Sequence, residues 1–247
     1  MLKNFDKNQN YYKFYKRKNT PIVFIHGVGL DQDMWFPQVR YFKNNSILTY
    51  DLLGHGRTPL NKKKVNFEDF SNQLNTLMKN LKINKIHLVG FSFGSLIALN
   101  FTKKFQKKVD KLVLISTVYK RTKLEKINVR ERYKKAKNNI PIFDLALKRW
   151  LSPKFIKLNP NIKKYILTTL NKKNIDHINF LKSYKLFSYF KDEQKEIQKI
   201  KKSALIMTGT KDLGSTVKMS QNLSNELINS QFYKIHNAKH LCSIEYS

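Results

Sequence analysis

A single cysteine, Cys242, among 247 residues cannot close an internal disulfide, so the stapled secreted class is excluded. Six prolines and eight glycines are too few for a collagen-like or Gly/Pro-rich disordered chain. Long hydrophobic runs are missing as well. The longest apolar stretches, such as 22–25 and 112–115, are strand-sized, against the ~18 residues a membrane-spanning helix needs. Residues 1–6 lack the apolar core of a signal peptide. No membrane association is expected, and a cytoplasmic location is the default. Acidic residues are scarce, 17 against 48 Lys and Arg, for a net charge of +31.

That charge admits two readings. It could mark an acidic protein or nucleic-acid partner. Alternatively it reflects composition, because lysine far outnumbers arginine and is spread along the whole chain rather than gathered in one tract. Phosphate recognition that exploits geometry favours arginine forks, and arginine is scarce. The second reading is preferred, with lysines on solvated faces, and no nucleic-acid partner is expected.

What is present is a rhythm of short β-rich runs and amphipathic stretches. Strands are predicted at 21–26, 46–51, 85–90 and 111–116, with helices at 67–81 and 95–105 and a short helix or turn at 35–42. Residues 11–17 would add an antiparallel strand at one edge. From 119 to 200 the pattern is helical, at 130–137, 142–151, 162–170 and 178–190, punctuated by Pro141, Pro153 and Pro160. A strand at 204–209, a helix at 217–227 and a last strand at 231–235 follow. Strands separated by helices imply an α/β fold, a mostly parallel central sheet covered on both faces. The expected organisation is a core of 1–118 and 201–247, with a helical cap at 119–200 placed over the strand ends, where such folds keep their sites.

Gly90-Phe91-Ser92-Phe93-Gly94 carries the strongest chemical signal. It fits G-x-S-x-G between a strand and a helix, which lifts the serine hydroxyl above the sheet on a sharp turn. The Phe93 N–H at the helix start would face a developing oxyanion. The plain alternative is an ordinary Gly-flanked turn. A serine needs a base, and the order Ser, Asp/Glu, His selects His240, after the last strand, with His236 as a nearby rival. Asp212, after the strand at 204–209, is the expected acid; it could equally be a turn or cap aspartate. Asp176, Asp192 and Glu193 are rivals without a strand-end context. Gly27-Val28-Gly29 after the first core strand would supply the second oxyanion donor, the Val28 N–H, with His26 orienting the loop. No metal or cofactor is expected: His236 and His240 show H-x-x-x-H spacing without a helix or the accompanying Glu, and no P-loop or G-x-G-x-x-G occurs.

Taken together, His26-Gly27-Val28-Gly29, the run from Asp51 to Thr58 (DLLGHGRT), the Ser92 motif, Gly209-Thr210-Lys211-Asp212 and His240 resemble the α/β-hydrolase superfamily. Residues 29–38, Arg149-Trp150, 212–219 and 240–245 are similar to 3-oxoadipate enol-lactonases and their near relatives. The resemblance implies a cofactor-free serine esterase or lactonase of the EC 3.1.1 type, acting on a small-molecule ester or lactone. It further implies that Trp150 lines the pocket from the cap, unless Trp150 is simply cap core. An ester on an acidic carrier protein, or a non-catalytic pocket that binds a small ligand, are the alternatives. Relatives usually continue past the catalytic histidine into a terminal helix. The end at Ser247 implies either a clipped sequence or a less covered sheet edge.

Overall fold

The computed structural model describes residues 2–140, 142–171 and 175–247; Pro141, expected to punctuate the helices, lies outside them. Eight strands form one sheet: β1 (Leu2–Phe5), β2 (Tyr11–Tyr15), β3 (Ile22–Ile25), β4 (Ile47–Tyr50), β5 (Ile86–Phe91), β6 (Val109–Ile115), β7 (Ser203–Gly209) and β8 (Ser230–Ile235). Their spatial order is β1-β2-β4-β3-β5-β6-β7-β8. β1 and β2 pair antiparallel, as do β2 and β4, and every later neighbour is parallel.

The strand expected at 11–17 is antiparallel, but it is one place in from the edge. β1 takes the edge, paired from Leu2↔Phe14 to Phe5↔Tyr11. Four residues are too few to show a period. The turn does have a local signal: the Asp6 carboxylate accepts from the backbone N–H of Asn8 and Asn10, and Gln9 adopts φ 59°.

The helices flank the sheet. α1 (Phe36–Tyr41) follows a 3₁₀ turn at Gln32–Trp35, and α2 (Phe67–Asn80) and α3 (Phe93–Lys104) come before and after β5. α2 starts on a reciprocal cap: the Asn66 side chain accepts from Asp69 N and the Asp69 carboxylate from Asn66 N. Between β6 and β7 lie α4 (Lys123–Lys137), α5 (Phe143–Trp150), α6 (Pro153–Leu158), α7 (Pro160–Leu170), α8 (Ile175–Ser188) and α9 (Gln194–Ile197), with no strand among the described residues. α10 (Val217–Glu226) precedes β8, and a single turn, α11 (Cys242–Glu245), follows it. α6 and α9 are too short for a visible period. α4 begins seven residues before the expected 130, on a Thr122/Glu125 capping box.

Alternate residues of each buried strand point to opposite faces. Val23, Ile25, Leu88, Leu112 and Leu114 join the core under α2, α3 and α10. Phe24, Val89, Phe91 and Ile115 join a second core with Met34, Trp35, Leu241 and the insert residues Leu147, Leu151 and Ile166. Covering both faces explains why these strands are apolar runs rather than alternating ones. The insert packs at the carboxyl ends of the parallel strands, and so the loops after β3, β5, β7 and β8 converge beneath it.

Candidate active site

Ser92 sits between β5 and α3 at φ 53°, ψ −114°, a strained conformation for a residue with a Cβ. The chain permits it because its neighbours are bare. A Cβ on Gly90 would lie 2.4 Å from the Gly94 carbonyl oxygen, and one on Gly94 would lie 2.4 Å from that of Ile25. Ser92 N donates to Ile115 O (2.8 Å), which pins the turn to β6. α3 begins at Phe93, two residues before the expected 95, so the serine caps the helix. The Phe93 N–H, as the first in the helix, has no intrahelical acceptor.

His240 follows β8, and its ring bridges two elements. Nε2 is 3.1 Å from Ser92 Oγ, and Nδ1 is 2.7 Å from Asp212 Oδ2. The Asp212 side chain is fully buried, and its other oxygen, Oδ1, accepts from Gly214 N (2.8 Å) and Ser215 N (2.9 Å). With the carboxylate accepting at Nδ1, the neutral imidazole carries its proton there and leaves Nε2 free to receive one from the serine. The imidazole is flanked by the Phe91 ring (centroids 5.0 Å apart) and by Trp150 (6.2 Å).

The sequence-derived residues Ser92, Asp212, His240, Val28 and Trp150 thus gather at one cavity of about 80 Å³, with Phe93 at the helix start beside it. His236 is exposed and outside this group. Asp192 and Glu193 do not line the cavity, and the side chain of Asp176 lies outside the described residues.

His26 is fully buried. It accepts from Leu52 N at Nε2 (3.0 Å), so its proton sits on Nδ1 and is donated to Gly27 O (2.8 Å). Burial pushes its pKa down to about 4, and it stays neutral as a brace for the Val28 loop. Asp51 braces the neighbouring loop, accepting from Gln32 N (2.9 Å) and Arg57 N (2.8 Å). Burial raises its pKa to about 6, against the pull of those two bonds.

Sequence reasoning missed four residues here. Ser116, at φ 50° after β6, donates from Oγ to the His240 carbonyl (2.9 Å) and so holds the histidine loop. Buried Cys242 lies 3.7 Å from the same hydroxyl, and burial pushes its thiol up to about 12. Arg121 and Arg132 line the cavity. Ser116 and Cys242 offer no local signal, since their partners are 124 and 126 residues away in the chain. The arginines had one: their rarity.

Comparison with known proteins places these features in context. Residues 20–245 match the family model described as alpha/beta hydrolase fold. An (E)-2-((N-methylformamido)methylene)succinate hydrolase of Acinetobacter baylyi is 25% identical over 244 residues, covering 96% of this chain and 89% of that protein. 3-oxoadipate enol-lactonase 2 of the same organism is 22% identical, over 96% of this chain and 87% of that one. The crystal structure of the enol-lactonase from Burkholderia xenovorans LB400 superposes with a TM-score of 0.84 at 23% identity, covering 97% of this chain and 93% of that one.

Proposed function

This chain belongs to the alpha/beta hydrolase fold family, and on that premise we propose that it is a serine hydrolase cleaving a small carboxylic ester or lactone through an acyl-enzyme. The observation that carries the reading is the unbroken relay from Ser92 Oγ through the His240 ring to Asp212, at 3.1 and 2.7 Å, in the wall of a cavity. Ser92 attacks the substrate carbonyl as its proton passes to His240 Nε2. Asp212 holds the ring in register and balances the imidazolium. The N–H groups of Val28 and Phe93 receive the oxyanion. As the adduct collapses, His240 returns the proton to the departing alkoxide, which in a lactone stays tethered through the acyl chain. Water then attacks the acyl-enzyme, its proton goes to His240 and on to Ser92, and the carboxylic acid leaves.

The names of the two curated relatives, which specify a substituted succinate and a 3-oxoadipate enol-lactone, support a small organic acid as the substrate skeleton. Trp150, beside the His240 ring, would form the pocket wall over the acyl group. In this reading the catalytic core is 1–118 and 201–247 and the cap is 119–200. Nothing in the site favours a carrier-bound ester over a free one.

Turnover of p-nitrophenyl acetate tests the proposal. Ser92→Ala should lose at least about a thousandfold in kcat, and a fluorophosphonate should label Ser92. Equal rates for the two proteins would overturn the mechanism; a failure to label would favour a non-catalytic binding pocket.

A further inference from the structure

The cavity beside Ser92 is unusual in its basic residues. Three of the chain's seven arginines, Arg121, Arg132 and Arg149, line it. The 48 basic residues are mostly lysine, yet no lysine lines the cavity among the described residues. A compositional excess of lysine does not produce that selection. The three come from separate stretches: Arg121 from the segment before α4, Arg132 from α4 itself and Arg149 from the end of α5.

Among the described residues none of the three forms an ion pair. The one acidic residue in the lining, Asp212, is committed to His240. Arg121 is buried, donates through Nη1 to Phe187 O (2.9 Å) and lies over the Phe187 ring (4.4 Å), an arrangement that fixes the plane of its fork. Burial holds both Arg121, at about 10, and Arg149 below the usual arginine value. Asp192 draws Arg121 back up and Asp212 draws Arg149 back up, but each is also repelled by Arg132. The trio therefore shares one cavity wall while being held by different parts of the insert.

Arg121 is buried and Arg132 and Arg149 are half-buried, and cations withdrawn from water without a direct ion-pair partner are costly unless a ligand supplies the charge. A carboxylate matches one guanidinium fork in a bidentate pair, and three forks lining one cavity exceed what one carboxylate can engage in that way. We propose that Arg121, Arg132 and Arg149 form a recognition subsite that selects substrates with two free carboxylates besides the carbonyl that reacts. One carboxylate meets Arg149, at the end of α5, and the other meets Arg132 and Arg121, on α4 and just before it. Trp150, Phe180 and Tyr184 pack on the carbon skeleton between them. This assignment rests on the hydrolase reading above and narrows its substrate class.

Calorimetric titration of the Ser92→Ala protein separates the two claims, because binding needs no turnover. Glutarate is the dicarboxylate probe, with butyrate and inorganic phosphate as the other arms, at low ionic strength. Glutarate should bind at least about tenfold tighter than either. Arg132→Gln and Arg149→Gln should each weaken it about tenfold, and Arg132→Lys should recover only part of the loss, since it restores charge without the fork. Lys107→Gln, an exposed change of equal charge, should leave it unaltered. The subsite is overturned if glutarate does not bind, if butyrate binds as tightly, if phosphate binds more tightly, or if Lys107→Gln matches Arg132→Gln. If the Ser92 chemistry fails instead, p-nitrophenyl acetate turnover reports it while glutarate binding persists.

Discussion

Asp212 divides its two carboxylate oxygens between different tasks. Oδ1 holds the backbone of Gly214 and Ser215, and Oδ2 holds His240. Asp212→Asn can keep the first set through its amide oxygen, but it presents an N–H to His240 Nδ1 and forces the wrong tautomer. The fold should survive and kcat should fall by about 10⁴, measured with p-nitrophenyl acetate beside a thermal melt. His26 and Asp51 make an opposed pair. The His26 pKa is lowered from 6.5 to about 4 by burial, so its contribution to stability is lost as pH falls through that window. The Asp51 pKa is raised from 3.8 to about 6, so its effect on stability is the reverse and is regained on acidification over nearly the same range. The two oppose each other over this range. Asp51→Asn removes one side, and its unfolding free energy should then drop more steeply than that of the parent between pH 6.5 and 4, as denaturant titrations at stepped pH would register.

At the level of elements, the join between β5 and α3 has the least slack. A methyl group on Gly94 would meet the backbone carbonyl oxygens of Ile25 and His26 at 2.4 and 2.5 Å, and neither can rotate away. Gly94→Ala must therefore push α3 off β3. We expect it to cost about 1–3 kcal/mol of stability and to remove most of the esterase activity, because Ser92 caps the displaced helix; melting curves and initial rates measure both. This join was legible in sequence because a Gly-x-Ser-x-Gly run lies between an apolar strand and an apolar helix. The loops after β7 and β8 were legible for a similar reason: each catalytic candidate follows a buried run directly. The ends of the chain and the insert were less so. β1 and α6 are too short for a period to emerge, and the one local cue for the start of α4, Thr122 followed by Glu125, is polar and lies outside any hydrophobic pattern.

Across the whole molecule, a charge of +31 over 247 residues repels itself. Added salt screens that repulsion over about 10 Å at 0.1 M, so Tm should rise as NaCl is increased, as scanning calorimetry can follow; a flat or falling Tm would mean the lysines are already compensated. The same excess hid the arginine trio from sequence reading. Arg121 and Arg132 stand out only as rare residues among many lysines, and no local spacing encodes their convergence on the Ser92 cavity. Arg149 was marked only through its resemblance to a family motif. The insert is, in topological terms, one crossover between the adjacent strands β6 and β7. Ser92, Asp212 and His240 all lie outside it, and the three guanidinium groups all lie within it. In the reading proposed above, bond cleavage and substrate choice are thus written in separable stretches of polypeptide. A graft of that single crossover from a cousin could retune what the protein accepts while its cutting machinery stays as it is.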